Sequence, residues 1–149
     1  MSEPDFINQV RSQAASPSAA LELILDHLNC ETGTIHSLGD DGMLHLEAWA
    51  GQIPEQLLPV IQTIPVGKGI AGLAVERAEP VDLCNLQTDQ SGDARPGAKQ
   101  TGARGSLCVP MMKAGKPVGA LGVATLTERA FTETEIAAML EAAQILAEQ

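Results

Sequence analysis

The residues best suited to chemistry in this chain are three cysteines, Cys30, Cys84 and Cys108. A thiolate attacks electrophiles and a second thiol resolves the product, but both need proximity, a depressed pKa and access to substrate. Cys84 and Cys108 sit on short apolar runs whose strands can be neighbours, so they form either a redox pair or two small buried hydrophobes. Cys30 falls at the end of a helical stretch and reads as structural. The odd count and the lack of a CxxC spacing support neither a disulfide framework nor a zinc module. No Ser-His-Asp or paired-carboxylate arrangement follows from spacing, so no catalytic machinery is visible beyond the thiols.

A second candidate is electrostatic. Nine Lys and Arg against 19 Asp and Glu give a formal net charge of −10. Yet no acidic residue falls between Asp93 and Glu128, while Arg95, Lys99, Arg104, Lys113 and Lys116 cluster there. Arg95, Lys99 and Arg104 can hold an anionic small ligand through charge-assisted hydrogen bonds, with Arg104 placed for a bidentate contact, or can simply neutralise an acidic surface. Gly67-Lys-Gly69 ahead of a helix can aim backbone N–H groups at an anion, but it lacks the rest of a phosphate loop and serves equally as a bend. His36 and His45, placed opposite each other across a hairpin with Glu47 nearby, make only half a metal site, and no metal is expected. His27 reads as solvent-facing.

These residues need a scaffold, and 149 residues at 44% hydrophobic suit one domain. No apolar run approaches the ~20 residues that span a bilayer, and the N-terminus has no signal core, so a cytoplasmic protein with reduced thiols and no membrane partner is expected. The negative charge opposes nucleic-acid binding. Phe6, Ile7, Val10 and Ala14 recur at helical spacing. Ser16-Pro17 opens a second helix with Leu21, Ile24, Leu25 and Leu28 on one face, and Gly33 reads as its stop. Thr34–Leu38 and Met43–Trp49 alternate around Gly39-Asp-Asp-Gly42, a hairpin in which His36 faces His45 and Thr34 faces Glu47 if the turn centres on Asp40-Asp41. Short helices follow around Leu57, Leu58 and Ile61 and from Ile70 to Ala74. After them come a short strand at Val81–Cys84 and a polar stretch from Asn85 to Gly105 that reads as a lid or binding loop. Ser106–Met112 and Val118–Leu126 form a second antiparallel pair. Thr132-x-x-Glu135 is a capping box opening a last helix with Ile136, Met139, Leu140, Ala143 and Leu146.

From about Ser18 to Leu146 the chain resembles the GAF domain family, related to PAS domains. The resemblance rests on Ala48-Trp-Ala-Gly51 closing the first hairpin, Ile64-Pro-Val-Gly-Lys-Gly-Ile-Ala-Gly72, Pro80-Val-Asp-Leu, Ser106-Leu-Cys-Val-Pro-Met, Lys116-Pro-Val-Gly-Ala-Leu-Gly-Val and Phe131-Thr-x-x-Glu. It implies an α+β fold: an antiparallel sheet of five or six strands, terminal helices on one face, and short helices with the long loop over a ligand pocket on the other. Residues 1–17 are then an N-terminal helical extension and 18–149 a single domain. The subfamily signatures are incomplete. Phe131 and Glu135 fit the cyclic-nucleotide pattern, but its Asn-Lys pair is absent and Ile136 replaces the second acid. Neither Cys84 nor Cys108 precedes the His usual at bilin attachment. The free methionine-R-sulfoxide reductase branch carries a cysteine where this chain has Ala71.

The resemblance therefore implies a small-molecule sensor whose ligand and cofactor are left open. Its pocket floor would come from Ser106, Cys108, Val123 and Thr125, depending on which face each shows, and its walls from Trp49, Cys84, Asp89 and Arg104. The alternative is a thiol-dependent redox enzyme of the sulfoxide reductase type. The resemblance further implies a homodimer through the terminal helices. Because little of the chain lies outside such a domain, a signal is expected to pass to a separate partner or through rearrangement of the dimer, or the chain acts alone.

Overall fold

A computed structural model describes residues 2–88 and 102–149. Two helices lead, α1 (Glu3–Gln13) and α2 (Pro17–Leu28), followed by the hairpin β1 (Thr32–Leu38) and β2 (Met43–Gly51). A 3-10 turn (Glu55–Leu57), α3 (Leu58–Ile61), β3 (Thr63–Pro65), α4 (Gly69–Arg77) and β4 (Val81–Leu83) come next. The chain ends with β5 (Ser106–Lys113), β6 (Lys116–Ala124) and α5 (Glu133–Ala147). The six strands form one sheet in the order β3-β2-β1-β6-β5-β4, with every neighbouring pair antiparallel.

Alternation along the central strands divides two faces. Ile35, Leu107, Val109, Met111, Leu121 and Val123 project to one side, where they meet Leu21, Ile24, Leu25 and Leu28 of α2 and Met139, Ala143 and Leu146 of α5. Phe6, Ile7 and Val10 of α1 are buried in this same cluster, so the N-terminal helix is part of the core. The Leu21–Leu28 stripe and Met139, Ala143 and Leu146 thus pack on the chain's own sheet, with Ile136 and Leu140 partly buried beside them. On the opposite face, Ile70 and Ala74 of α4 pack with Val81 and Cys108.

Three expectations about local geometry are corrected. Helix α2 stops at Asn29, which takes the left-handed conformation (φ 55°) and donates its N–H back to the helix, while Gly33 lies inside β1. Asparagine tolerates this conformation, so no glycine is needed. In the first hairpin Gly42 donates to the Gly39 carbonyl and takes φ 77°, giving a three-residue connection instead of a symmetrical two-residue turn. The register moves by one, pairing His36 with Leu46 and Ser37 with His45. A bulge between Ile35 and His36 moves it again, so Thr34 faces Trp49. His36 and His45 therefore point to opposite sides of the sheet. His27 is likewise not solvent-facing: its ring stacks on Phe6 at 3.9 Å and its Nε2 meets Glu3 at 3.0 Å.

The expected capping box is present. Thr132 Oγ1 accepts from Glu135 N–H at 3.1 Å, and Glu135 Oε1 accepts from Thr132 N–H at 2.9 Å. Partial burial of the Glu135 carboxyl opposes its ionisation, but these hydrogen bonds and the Arg129 guanidinium beside it outweigh that and lower its pKa. Arg129 also donates to the Asn29 carbonyl at 3.1 Å and lies over the Phe131 ring, fastening the start of α5 to the end of α2.

Two outcomes follow. A depressed carboxylate pKa stabilises the fold above the unfolded value of about 4.3, and this is lost as pH falls through the lower folded pKa. Glu135→Gln is therefore expected to unfold at lower denaturant than wild type at neutral pH, with the gap narrowing toward pH ~2, as read by denaturant titrations across pH. The β5–β6 turn places Ala114 at φ 52° beside Gly115 at φ 78°. Alanine is strained there whereas asparagine tolerates the left-handed region, so Ala114→Asn is expected to raise stability by about 0.5–1 kcal/mol in the same assay.

Candidate functional site

The face of the sheet away from the terminal helices has an unusually low surface, set by residue size. On β6 the inward positions are Ala120, Gly122 and Ala124, flanked by Thr34 and His36 on β1 and by Ser106 and Cys108 on β5. A Cβ added at Gly122 would lie 2.8 Å from Cys108 Sγ and 3.4 Å from Thr34 Oγ1, so these two side chains close over the glycine. Above this floor sit α3 and the first turn of α4, contributing Val60, Ile61, Gly69, Ile70 and Ala71. Ile53, Ile64, Leu86 and Ala103 complete the described wall of a cavity of about 150 Å3. None of the described lining residues carries a formal charge.

The glycine-rich bend sets the roof. Gly67 and Gly69 take φ 87° and 66°, and a Cβ at Gly72 would fall 2.5 Å from the Pro65 carbonyl oxygen. The Gly67 N–H donates to the Gly72 carbonyl and the Lys68 N–H to the Pro65 carbonyl, so both amides are spent on the turn. Gly67-Lys-Gly69 is thus a bend that brings α4 onto the sheet.

His36 is the most polar group on the floor and is 2% exposed. Its Nε2 lies 2.8 Å from the carbonyl oxygen of Ile61, the last residue of α3. A carbonyl only accepts, so Nε2 carries the proton. Burial lowers the ring's pKa, with the Ile61 hydrogen bond and the Glu47 charge acting against that shift. The ring is neutral, and Nδ1 is a bare lone pair. That atom is buried with no hydrogen-bond partner among the described residues, at a cost of about 1–3 kcal/mol.

The expected site residues divide sharply. Ser106 and Cys108 line the cavity floor. Val123 faces the terminal helices within the main core. Thr125 is buried beside the cavity's end, its hydroxyl donating to the Thr127 carbonyl at 2.7 Å. Trp49 shares the Thr34 face but stands outside the cavity at 47% exposure. Arg104 holds the 85–88 segment through its backbone, accepting from Leu86 N–H at 2.6 Å and donating to the Thr125 carbonyl at 2.8 Å, while its side chain is exposed. Asp89, with Arg95 and Lys99, lies outside the described residues.

Cys84 is exposed beside Glu128. The register pairs Cys108 with Val81, three residues before Cys84. At ~3.3 Å per residue the two cysteines are about 10 Å apart along their strands, beyond the ~7 Å Cα separation a disulfide tolerates. Burial pushes the Cys108 thiol up to about 12, and burial pushes Cys30 to about 11 even with Arg129 nearby. Neither is a thiolate at neutral pH. His45 pairs with Asp41 at 3.0 Å, and among the described residues no group of three metal-ligating side chains converges.

His36, Thr34 and the α3–α4 apolar residues are not among the pocket residues expected from the sequence. Thr34 and His36 face the floor because β1 pairs in regular register with Gly122 and Ala120 of β6, a long-range pairing that no local residue pattern announces. The floor itself had a signal, the alternation of Ala120, Gly122 and Ala124 with Leu121 and Val123.

Comparison with known proteins rests on this architecture. The GAF domain of a phosphoenolpyruvate-protein phosphotransferase from Acinetobacter is 20% identical with a TM-score of 0.81, over 99% of this chain and 93% of that one. The corresponding GAF domain from Coxiella burnetii is 24% identical with a TM-score of 0.78, over 98% and 90%. A free methionine-R-sulfoxide reductase from Neisseria meningitidis, solved with its substrate, is 18% identical with a TM-score of 0.79, over 98% and 86%. At these identities the likeness establishes the fold alone. No curated protein matches. The sequence model of the GAF domain matches residues 14–148, which with the six-stranded sheet and its helical layers places this chain in the GAF domain family.

Proposed function

We propose that this chain is a sensory module that binds a compact small molecule between the sheet floor and the α3–α4 roof and passes occupancy to a partner. The observation that carries this reading is the cavity itself: side chains kept small on three central strands, under a roof of branched apolar residues. GAF domains are in general small-molecule-binding modules, which agrees with such a use. A signal requires that the ligand favour one of two states. The short α3, joined to the floor through His36, is the element whose position occupancy would bias. The lining favours an apolar ligand over the anion expected from the basic segment, because Arg104 projects to solvent and no described lining residue is charged. Contact with a partner or second copy would use outer surfaces, such as exposed Trp49 and Leu126, since the inner helical stripes are already buried.

The sulfoxide reductase alternative is favoured by the shape of one relative and opposed by the cysteines of this chain. Titration with an aromatic disulfide is expected to modify Cys84 in the native protein and Cys108 only after unfolding. Mild oxidant is expected to form no intramolecular disulfide, and a reversible loss of two thiols would restore the enzyme reading.

The sensor reading is tested by thermal shift against small aromatics, amino acids, methionine sulfoxides, 2-oxoacids and nucleotides. Ligand at ~100 times its Kd is expected to stabilise by about 2.7 kcal/mol. Ala71→Leu, which fills the cavity from α4, is expected to abolish that shift while the protein still melts cooperatively. A shift retained in this variant would place the ligand elsewhere.

A further inference from the structure

We propose that His36 Nδ1 is the recognition atom of the cavity, an acceptor waiting for an O–H or N–H of an uncharged, mainly apolar ligand. This rests on the cavity being a ligand site. Four observations converge on it. His36 lines the cavity and is almost wholly buried. Its other nitrogen is committed to the Ile61 carbonyl at 2.8 Å, which fixes the tautomer so that Nδ1 can only accept. Nδ1 has no partner among the described residues, although buried polar atoms are as a rule paired, and it is closed to solvent in this conformation, so a ligand donor reaches it with a small shift of the ring or of α3 above it. The described lining is otherwise apolar apart from the Thr34 and Ser106 hydroxyls and the Cys108 thiol, so a charged ligand would lose its hydration without a countercharge there.

The geometry selects a ligand class. A donor on the ligand meets Nδ1, while its apolar body lies over Ala124 and the Cys108–Gly122–Thr34 row, beneath Ile61, Ile64 and Ile70. A molecule of the same shape lacking the donor leaves Nδ1 unpaired and gains less. Discrimination by a site's own unpaired group is stronger than discrimination by an apolar wall.

Phenol and fluorobenzene, alike in shape and differing in the donor, are the probes. With full-length protein, phenol is expected to bind at least about tenfold more tightly, the equivalent of one hydrogen bond to a buried acceptor. The side-chain 15N resonance of His36 Nδ1, identified by its loss on substitution, is expected to move with phenol and stay in place with fluorobenzene. His36→Gln can keep a donor to Ile61 while placing nothing at Nδ1, and is expected to erase the preference. His36→Asn keeps an acceptor near Nδ1 and is expected to retain part of it. Thermal melts of both variants show whether the fold persists, and the 15N readout on wild type does not depend on either variant folding.

Equal binding of the two probes, with cavity methyl resonances perturbed by both, would overturn the role of His36 and leave the cavity as the ligand site. Binding of neither, with no methyl perturbed, would overturn both readings. A preference for phenol that survives His36→Gln would move recognition to the Thr34 or Ser106 hydroxyls and overturn the assignment.

Discussion

The two-sidedness of β6 is the constraint on which the rest depends. One edge of its pleat carries Leu121 and Val123, which seat α2 and α5; the other carries Ala120, Gly122 and Ala124, which keep the opposite surface low. Side chains on a strand alternate strictly, so the two requirements coexist in one segment without compromise. Large residues on the second edge would bring the roof's apolar residues onto a filled layer. Small residues on the first would leave the terminal helices without a core. Being central, β6 imposes this division on both neighbours: Ile35 and Val109 follow Leu121, and Thr34 and Cys108 follow Gly122.

The roof is held by a few backbone-level devices. Gly67, Gly69 and Gly72 make a bend tight enough to lay α4 on β5 and β6, with the Gly67 and Lys68 amides bonded within it. Helix α3, at four residues, has too few internal hydrogen bonds to stand alone. It is placed by the strand that follows it and by the His36 bond to its last carbonyl. The opposite layer is locked at one corner, where Arg129 gathers the Asn29 carbonyl, Glu135 and Phe131. The helix layer thus has a continuous apolar core behind its ties, whereas the roof rests on short segments around a cavity. Local opening is easiest where few apolar contacts are lost, so the roof is the natural place for a response to ligand.

Much of the fold was legible because its signals are local. The Thr132–Glu135 box, the Leu and Ile stripes and the apolar β5–β6 pair each declare an element within a few residues. The site was less legible because facing is a property of register. Gly42 at positive φ turns a symmetrical hairpin into a three-residue connection, and the bulge beyond His36 shifts the pairing again; neither change alters which residues look like strand. The result exchanged the partners of His36 and Thr34. It turned an imagined histidine pair into one buried ring and one surface ring bonded to Asp41. Cys108 and Ser106 fall on the cavity floor because β5 and β6 pair without irregularity from Ser106 to Met111. Val123 lies one step of the pleat away, on the side of the terminal helices.

The net charge of −10 and the uncharged described lining act at different ranges. The whole-body field governs what approaches the surface, and salt screens it within about 10 Å. Inside the cavity the dielectric is low, and selection falls to the few polar atoms present. His36 is distinguished among them because its two nitrogens differ: Nε2 holds the end of α3, and Nδ1 is a buried acceptor with no partner among the described residues. Hydrogen bonds on one imidazole polarise each other, since accepting at one nitrogen draws electron density through the ring and makes the N–H at the other a better donor. A ligand donor at Nδ1 draws electron density toward that nitrogen, leaves the Nε2 proton more positive, and strengthens its bond to Ile61. Occupancy and roof position are then coupled through a single ring, without a rearrangement of the sheet beneath it.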